Sequence, residues 1–439
     1  MLLIVLASHG ALSQDTTSRI RPGGVITLDE AIRIALEQNS TVRFARNSTT
    51  LDSLTVRQLR NQFQPNLGVS TQSSQGYLNR GSGQNTFGTT VGLSSGITLY
   101  NGRQNINALR EAEINLRASG QELGRTRQTI VFVVASDFLN LITQQEQLGV
   151  QQENLAAQEE QLTQLEAFAQ AGTRNIGDLY QQQAATASAR LGVATARRAT
   201  ELAKVDLIEE LVLDPRRDYQ FVAPTPSSDT TRRADFNLDS LLNLAMQMRA
   251  DIRAQQLRVE AAQREIMVAE GGKSPVVSAS MGFGSGFSTG ADGNFAAQID
   301  QRRGGSIGVG VSLPIFDRGA TSIARQRAQV QLENETLVLR DQIQAAALEV
   351  RRAYLDYQSA QEQLSAADAQ QSAAALALEA TQARYRVGLA TFVEVTLARA
   401  TIVQARSAVV NARASLTFQR ALMSYYTGEI DAANLRVVR

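Results

Sequence analysis

The sequence predicts a mainly α-helical chain with a four-stranded β contribution, in which one structural unit occurs twice. Three observations lead to this fold class. The stretches 66–214 and 315–439 contain no proline and, beyond their glycine-rich parts, are rich in Ala, Gln, Glu, Arg and Leu, a composition typical of long helices. Two glycine clusters, at 68–102 and 271–319, carry alternating apolar residues. The two halves of the chain also resemble each other.

The composition argues against most catalytic chemistry. The chain has 43 basic and 42 acidic residues, so it has no basic excess of the kind that nucleic-acid binding usually needs. It has no cysteine, and its single histidine, His9, lies in the leading apolar stretch. Nucleophilic cysteine, histidine general bases and the usual zinc sites are therefore excluded. We expect neither an enzyme nor a cofactor-dependent protein.

The N-terminus predicts export. Residues 1–13, MLLIVLASHGALS, resemble the end of a secretory signal peptide, with a short apolar core and small residues before the cleavage point. No other segment has the ~20 consecutive apolar residues that a membrane-spanning helix requires. Strands of a membrane β-barrel need only ~10 alternating residues each, so that class of membrane protein stays open.

An internal duplication organises the chain. Ile26–Asp29 matches Phe236–Asp239 at an offset of 210 residues, and the same offset aligns Pro65 with Pro275. Beyond the glycine clusters the offset becomes 216 residues. The predicted parts are a first repeat at 26–213, a linker at 214–235, a second repeat at 236–427 and a C-terminal tail at 428–439.

Each repeat is predicted to carry two strands. The period-two alternation places apolar residues on one face and small or polar residues on the other. The predicted strands are about 67–77, 87–99, 276–287 and 306–316. In a soluble sandwich the apolar face would point into a core, whereas in a membrane barrel it would contact lipid. We favour the membrane barrel, because no second sheet is apparent and the small face is too bare to fill an interior.

Four strands cannot close a membrane barrel, since the smallest have ~8. Open sheet edges are not tolerated in lipid, so the barrel must be shared among copies of the chain. Two chains would provide eight strands and three would provide twelve. Only the twelve-stranded barrel leaves a useful channel. We therefore expect a trimer.

The helices show a coiled-coil pattern. Between Gly319 and Val387 the chain is long enough for roughly 100 Å of continuous helix. A seam with 4-3 spacing runs along it: Leu339, Ile343, Ala346, Val350, Ala353, Tyr357, Ala360, Leu364 and Ala367. A filament-like or flagellin-like coiled-coil protein is the alternative, but it would leave the strands and the duplication unexplained. A carboxylate-dependent hydrolase is a weaker alternative, since no paired-acid site stands out.

Taken together, these features resemble the TolC family, the outer-membrane factors of bacterial efflux pumps and type I secretion systems. The order, spacing and duplication of the matching segments are what make the resemblance specific. It covers about residues 26–428. The segments are Ile26–Ala31, Ala35–Asn39, Gln64–Leu67, Val311–Asp317 and Tyr385–Thr391.

This resemblance implies a homotrimer in the outer membrane, extending into the periplasm. A twelve-stranded barrel in outer-membrane lipid would continue into a long α-helical barrel. An equatorial region would form from the linker at 214–235 and the tail after Gly428. The protein would be a passive conduit for efflux or type I secretion, gated at its periplasmic helix tips. Its partners would be a periplasmic adaptor (membrane fusion) protein and an inner-membrane pump of RND or ABC type.

The breaks at Gln170–Arg174 and Arg386–Ala390 are predicted to be the tips of two helical hairpins. An acid follows each tip glycine by six positions, Asp178 in the first hairpin and Glu394 in the second. One interpretation is that these carboxylates initiate helices by interacting with the helix dipole. The resemblance implies another: Glu394 would form a cation-attracting ring at the periplasmic entrance, and Asp178 would accept hydrogen bonds from Tyr385 to hold it shut.

The tips depart from the most familiar family pattern. Gly-Thr-Arg occurs here in the first hairpin, and Leu397 stands where a second acid is often found. Our hypothesis is that Glu394 forms the only ring and that Arg174 supplies the gate's basic contact. The residues expected to dock the adaptor are Gly172, Thr173, Val387, Gly388 and Leu389.

Overall fold

The computed structural model describes residues 25–76, 86–172, 175–222 and 236–430. Several predicted features lie outside these ranges. They are the signal peptide at 1–13, most of the linker, most of the C-terminal tail, and the gate and docking residues Thr173 and Arg174.

Helices dominate the described ranges, which confirms the prediction of a mainly α-helical chain with a few strands. The helices are α1 (Leu28–Gln38), α2 (Ser40–Asn61), α3 (Gln104–Gln170), α4 (Ile176–Glu210), α5 (Leu238–Met248), α6 (Ala250–Glu270), α7 (Phe295–Gln301), α8 (Ala320–Arg386) and α9 (Phe392–Thr427). The strands are β1 (Val25–Ile26), β2 (Asn66–Gly76), β3 (Thr86–Asn101), β4 (Gln220–Phe221), β5 (Val276–Ser288) and β6 (Gly304–Ser312).

None of the helices in the described ranges combines enough length with enough apolar character to traverse a bilayer.

The two longest helices, α3 and α8, have 67 residues each. At 1.5 Å per residue each is ~100 Å long. α3 forms a hairpin with α4, and α8 forms one with α9. The shorter α2 packs on α3, and α6 packs between α3 and α8. The order across the layer is therefore α2, α3, α6, α8.

The same elements recur in the same order in both halves of the chain. In each half, two consecutive helices precede the strands, and side-chain oxygens cap the first of them. Thr27 caps α1 by accepting a hydrogen bond from the Glu30 N–H, and Asn237 caps α5 through the Asp239 N–H. The break between the two helices falls at Asn39 in the first half and at Arg249, 210 residues later, in the second.

Four of the strands form one antiparallel sheet in the order β2-β3-β5-β6. β2 and β3 come from the first half, β5 and β6 from the second, and the β3–β5 pairing joins them. Cross-strand neighbours share a face, so Val69, Leu93 and Phe283 form one apolar row. Gly92, between Ser70 and Gly284, lies on the opposite face.

The structure differs from the predicted strands at one end of the sheet. The predicted strand at 306–316 is observed as β6, which ends at Ser312. Ser312 pairs with Val276, the first residue of β5, so the residues beyond it have no partner strand. Pro314 also lacks the N–H that a ladder needs. The helix α7, between β5 and β6, was not predicted.

Two hydrophobic clusters lie where the helices of each half converge. The larger surrounds Phe138 of α3 and Leu207 of α4, beside the parallel pair β1–β4. The smaller surrounds Tyr357 of α8 and Leu241 of α5. The predicted α8 seam is buried at most of its members but not at Ile343, which is exposed. The buried members are Ala346, Val350, Ala353, Tyr357, Ala360 and Ala367.

A buried ion-pair network ties α3, α6 and α8 together near these clusters. The Arg249 guanidinium, only 6% exposed, lies 2.7 Å from the Asp251 carboxylate and 2.6 Å from that of Glu349. Arg125 lies 3.8 Å from Asp251 and stacks 4.0 Å from the centre of the Tyr425 ring. Burial opposes ionisation of Asp251, but the hydrogen bonds and charge of Arg249 outweigh it and hold the pKa of Asp251 below its usual range.

Candidate functional site

The tip of the second hairpin is a glycine-terminated helix end. Gly388 adopts φ = 78°, the left-handed conformation that residues with a Cβ disfavour. Its N–H donates to the Tyr385 carbonyl, and the Leu389 N–H donates to the Arg384 carbonyl at 2.8 Å. This is the arrangement that commonly satisfies the last carbonyls of a helix. The Arg384 guanidinium also donates to the Leu389 carbonyl at 3.1 Å. Sequence reasoning missed this role of Arg384.

Glu394 begins α9 as part of a capping box. Its N–H donates to the Thr391 hydroxyl oxygen at 3.3 Å, and its Oε1 accepts from the Thr391 N–H at 3.5 Å and from the Thr391 hydroxyl at 3.2 Å. The Thr-x-x-Glu spacing in the sequence indicates this motif. Within the described residues, only Oε1 of this carboxylate accepts a hydrogen bond, and the side chain is exposed. Glu394 thus initiates a helix and still presents its charge to solvent.

At the first hairpin tip, a glycine and a capped helix start recur. Gly172 adopts φ = 69° at the end of α3. The Asn175 side chain accepts a hydrogen bond from the Gly177 N–H at 2.9 Å and so caps α4. Asp178 lies in the first turn of that helix and is half-buried. Its position suits the interaction of a carboxylate with the helix dipole.

Tyr385, the predicted partner of Asp178, makes an aromatic contact at the second tip. Its ring centre lies 6.1 Å from that of Phe392, at the start of α9. In the described part of the tip, Tyr385 therefore packs against the start of α9.

Apolar side chains are exposed at both tips. In the second hairpin they are Val387 and Leu389, each 70% exposed, followed by Val393 and Leu397, four residues apart on α9. In the first hairpin, Ile176 and Tyr180 are exposed. Exposed apolar side chains grouped at one end of a hairpin are typical of an interaction surface.

Two members of an arginine series on α9 connect the two hairpins. The arginines recur every seven residues, so they lie along one helix face. They are Arg399, Arg406, Arg413 and Arg420. Arg399 donates to the Ala157 carbonyl of α3 at 3.0 Å, and Arg406 lies 3.0 Å from the Glu153 carboxylate, also on α3. Sequence reasoning missed this series, although its heptad spacing is visible.

In the parts of the chain that the structure describes, no cluster of three or more acidic or histidine side chains is arranged to hold a metal ion.

Comparison with known proteins matches most of the chain to one family. A family model described as "Outer membrane efflux protein" matches residues 31–211 and 241–429. Protein CyaE of Bordetella pertussis is 25% identical over 336 residues, which cover 76% of this chain and 70% of CyaE. The pyoverdine export outer membrane protein OpmQ of Pseudomonas putida is 26% identical over 294 residues, covering 66% of this chain and 60% of OpmQ.

Solved structures show the same fold. A structure of CusC superposes with a TM-score of 0.80 at 19% identity, covering 91% of this chain and 92% of CusC. The outer membrane protein VceC of Vibrio cholerae gives 0.76 at 20% identity, covering 91% and 96%. The open-state MtrE outer membrane channel of Neisseria gonorrhoeae gives 0.74 at 19% identity, covering 91% and 88%.

Proposed function

Because the chain belongs to the outer membrane efflux protein family and lies in the outer membrane, extending into the periplasm, we propose that it is one third of a channel. Three copies form a twelve-stranded barrel and a periplasmic helical duct for efflux or type I secretion. The family consists of channel proteins rather than enzymes. Membership of this family also argues against the alternative of a filament-like coiled-coil protein.

The observation that carries this proposal is the sheet. One of its faces is apolar and exposed, with residues such as Val69, Phe283 and Val309 more than half accessible to solvent. In the described chain, the outer edges of β2 and β6 are unpaired. Lipid can contact an apolar face favourably, but it offers no hydrogen-bond partner for the backbone N–H and C=O groups of an open strand edge. Pairing β6 of one copy with β2 of the next removes all edges and closes twelve strands.

The helices support the same closure. Their order across the layer, α2, α3, α6, α8, runs in the same direction as the strand order β2, β3, β5, β6. Closing the sheet between β6 and β2 therefore brings α8 of one copy beside α2 of the next. The helical layer and the sheet close about a single axis, with the small-residue face of the sheet toward the lumen.

At the periplasmic end, Glu394 from three copies forms an acidic ring. Its Oε1 caps α9, and its charge is free to attract cations in the narrow entrance. Asp178, Tyr385 and Arg174 hold the hairpins in the closed arrangement. The exposed apolar tips, with Gly172 and Gly388 permitting close backbone approach, dock the adaptor. The other residues of the docking surface are Thr173, Val387 and Leu389.

A passive duct of this kind takes its cargo from the inner-membrane pump, of RND or ABC type, that the adaptor connects to it. One relative is named for pyoverdine export and another is CyaE. We therefore place this protein in an export system and assign the choice of cargo to the pump.

The test is single-channel recording of the purified protein in planar bilayers with a trivalent cation on the periplasmic side. Glutamine can occupy the N3 position of a capping box, so Glu394→Gln removes the charge and keeps the cap. We expect cation block to weaken by about tenfold, which corresponds to roughly 1.4 kcal/mol of lost attraction. Glu394→Ala should weaken block equally and also lower the melting temperature.

The matched control is Glu362→Gln, which neutralises an exposed acid far from the tip on α8 and should leave block unchanged. Unchanged block in Glu394→Gln would overturn the acidic ring. Absence of channels, or of a trimer in cross-linking, would overturn the duct itself.

A further inference from the structure

A groove of about 670 Å³ opens on the small-residue face of the sheet, where α2 ends and β2 begins. None of its lining side chains is ionisable. Three hydroxyl side chains of β3 and β5 contribute, but carboxamides dominate. The carboxamides are Gln58, Asn61, Gln62, Gln64, Asn66 and Asn105. We call this feature the carboxamide groove.

The strand register shows how the sheet contributes to the groove. Asn66 pairs with Gly96, and Gly96 pairs with Ser280, so the three form one row across the small-residue face. Thr98 and Ser278 form the next row on the same face. Glycine leaves space above these rows, and the end of α2 forms the side wall of the groove.

Two carboxamides hold the base of the groove in place. The Asn66 Oδ1 accepts a hydrogen bond from the Gly96 N–H at 2.7 Å, and the Asn105 Oδ1 accepts one from the Asn101 side chain at 2.8 Å. The side chains of Gln58, Asn61 and Gln62 are different. They are exposed and take part in no hydrogen bond among the described residues. Asn61 and Gln62 lie three and four residues after Gln58, so the three side chains share one face at the end of α2.

The fold does not require these carboxamides. The second half of the chain makes the same helix-to-strand transition, from α6 through a single 3₁₀ turn into β5. At the positions 210 residues after Gln58, Asn61 and Gln62, it carries Val268, Gly271 and Gly272. The second half makes this transition without carboxamides, so the amides are particular to the first half.

We propose that the carboxamide groove is a weak binding site for uncharged polar solutes that carry neighbouring hydroxyl or amide groups. A carboxamide donates and accepts at once, so it can replace both of the hydrogen bonds that such a group makes with water. An ion would lose hydration without meeting an opposite charge. The inference rests on the proposed channel, in which three grooves encircle the lumen. Weak binding suits a conduit, since cargo must also leave.

The test measures the block of single-channel current by three probes of similar size. Maltohexaose supplies hydroxyls, a neutral Gly-Ser hexapeptide supplies amides, and hexaglutamate is the charged comparison. We expect at least one neutral probe to block at millimolar concentration and hexaglutamate to block less. Gln58→Leu combined with Gln62→Leu should weaken that block by about tenfold, as expected for the loss of hydrogen bonds.

The matched control is Gln72→Leu, which removes an exposed carboxamide from β2, on the same face of the sheet but outside the groove. It should leave the block unchanged. Titration calorimetry of the detergent-solubilised protein with the same probes measures binding even if no channel forms, so failure of the channel and failure of the groove are distinguishable. Equal binding to the protein and to the double variant, or no neutral probe that binds, would overturn the proposal.

Discussion

The Arg399 guanidinium of α9 donates a hydrogen bond to the main-chain carbonyl oxygen of Ala157 in α3, at 3.0 Å. The bond joins the second hairpin to the first, close to the periplasmic tips. The Arg399 side chain is only partly accessible, so water competes weakly for the guanidinium. Any outward movement of the second hairpin must break this bond.

For the proposed channel, we predict that Arg399→Met favours the open state. A hydrogen bond from a charged group contributes about 1.5–3 kcal/mol, which corresponds to a shift of roughly tenfold or more in the closed-to-open ratio. Single-channel recording of open time measures this shift. Arg406→Met provides the comparison, because its pair with Glu153 is more exposed, and such surface pairs contribute about 0–1 kcal/mol. Equal open times for Arg399→Met and the wild type would contradict the prediction.

The two glycines that end α8 and α9 should respond differently to alanine. Both adopt left-handed conformations, φ = 78° at Gly388 and φ = 81° at Gly428. A Cβ at Gly388 would meet no atom within 4 Å, whereas at Gly428 it would lie 3.0 Å from the Met248 carbonyl carbon and 3.1 Å from the Arg249 nitrogen. Gly388→Ala should cost only the backbone strain, about 1 kcal/mol.

Gly428→Ala should cost that strain plus the displacement of α5 from α9, about 1–3 kcal/mol more. Thermal unfolding of the two variants, measured side by side in the same detergent, tests this difference. Equal melting temperatures would show that the backbone at Met248 moves away from a Cβ at position 428 with no loss of stability.

Asp137 should make stability depend on pH. Burial, followed by repulsion from Glu210 and Asp206 on α4, raises its pKa to about 6 from an ordinary value of 3.8. The folded protein therefore holds this proton more tightly than the unfolded chain does. The resulting stabilisation is fully present below pH 3.8 and is lost as pH rises through about 6. The pKa of Glu210, whose Oε1 accepts a hydrogen bond from Asn39 at 2.9 Å, is also raised by burial.

We predict that Asp137→Asn loses much of this pH dependence. The wild-type melting temperature should fall as pH rises from 4 to 7. That of the variant should fall less, because the contribution of Asp137 is lost while those of other shifted carboxyls such as Glu210 remain, and it should exceed the wild-type value at pH 7. Parallel melting curves for the two proteins across this range would show that Asp137 titrates normally. Asp341→Asn, at an exposed site on α8, is the control.

Particular elements show why sequence reasoning succeeded where it did. The alternation of apolar and small residues from Phe87 to Leu99 assigns side chains to opposite faces of β3, regardless of which strands β3 pairs with. The tip glycines Gly172 and Gly388 were located because left-handed residues end helices and glycine tolerates that conformation. The spacing from Gly388 identifies the acid Glu394, and the Thr391-x-x-Glu394 pattern of its capping box is also present in the sequence. Such features depend on neighbours within a few residues.

The end of β6 could not be predicted in the same way, because it depends on where β5 begins, about forty residues earlier in the chain. The arginine series on α9 is visible in the sequence, but the α3 partners of Arg399 and Arg406 lie more than 240 residues away. The carboxamide groove needs α2, β3 and β5 together. None of these relationships leaves a local signal.

The sequence by itself determined the class of elements, their duplication and the positions of the two tips, since helix ends, strand faces and repeats follow from local conformational preference and periodicity. The tertiary structure decided which partners those elements meet: Arg399 with Ala157, Arg249 with Glu349, and Gln58 with the small-residue face of the sheet. The physical reason is that packing brings together residues far apart in the chain, and their hydrogen bonds and burial depend on three-dimensional distance.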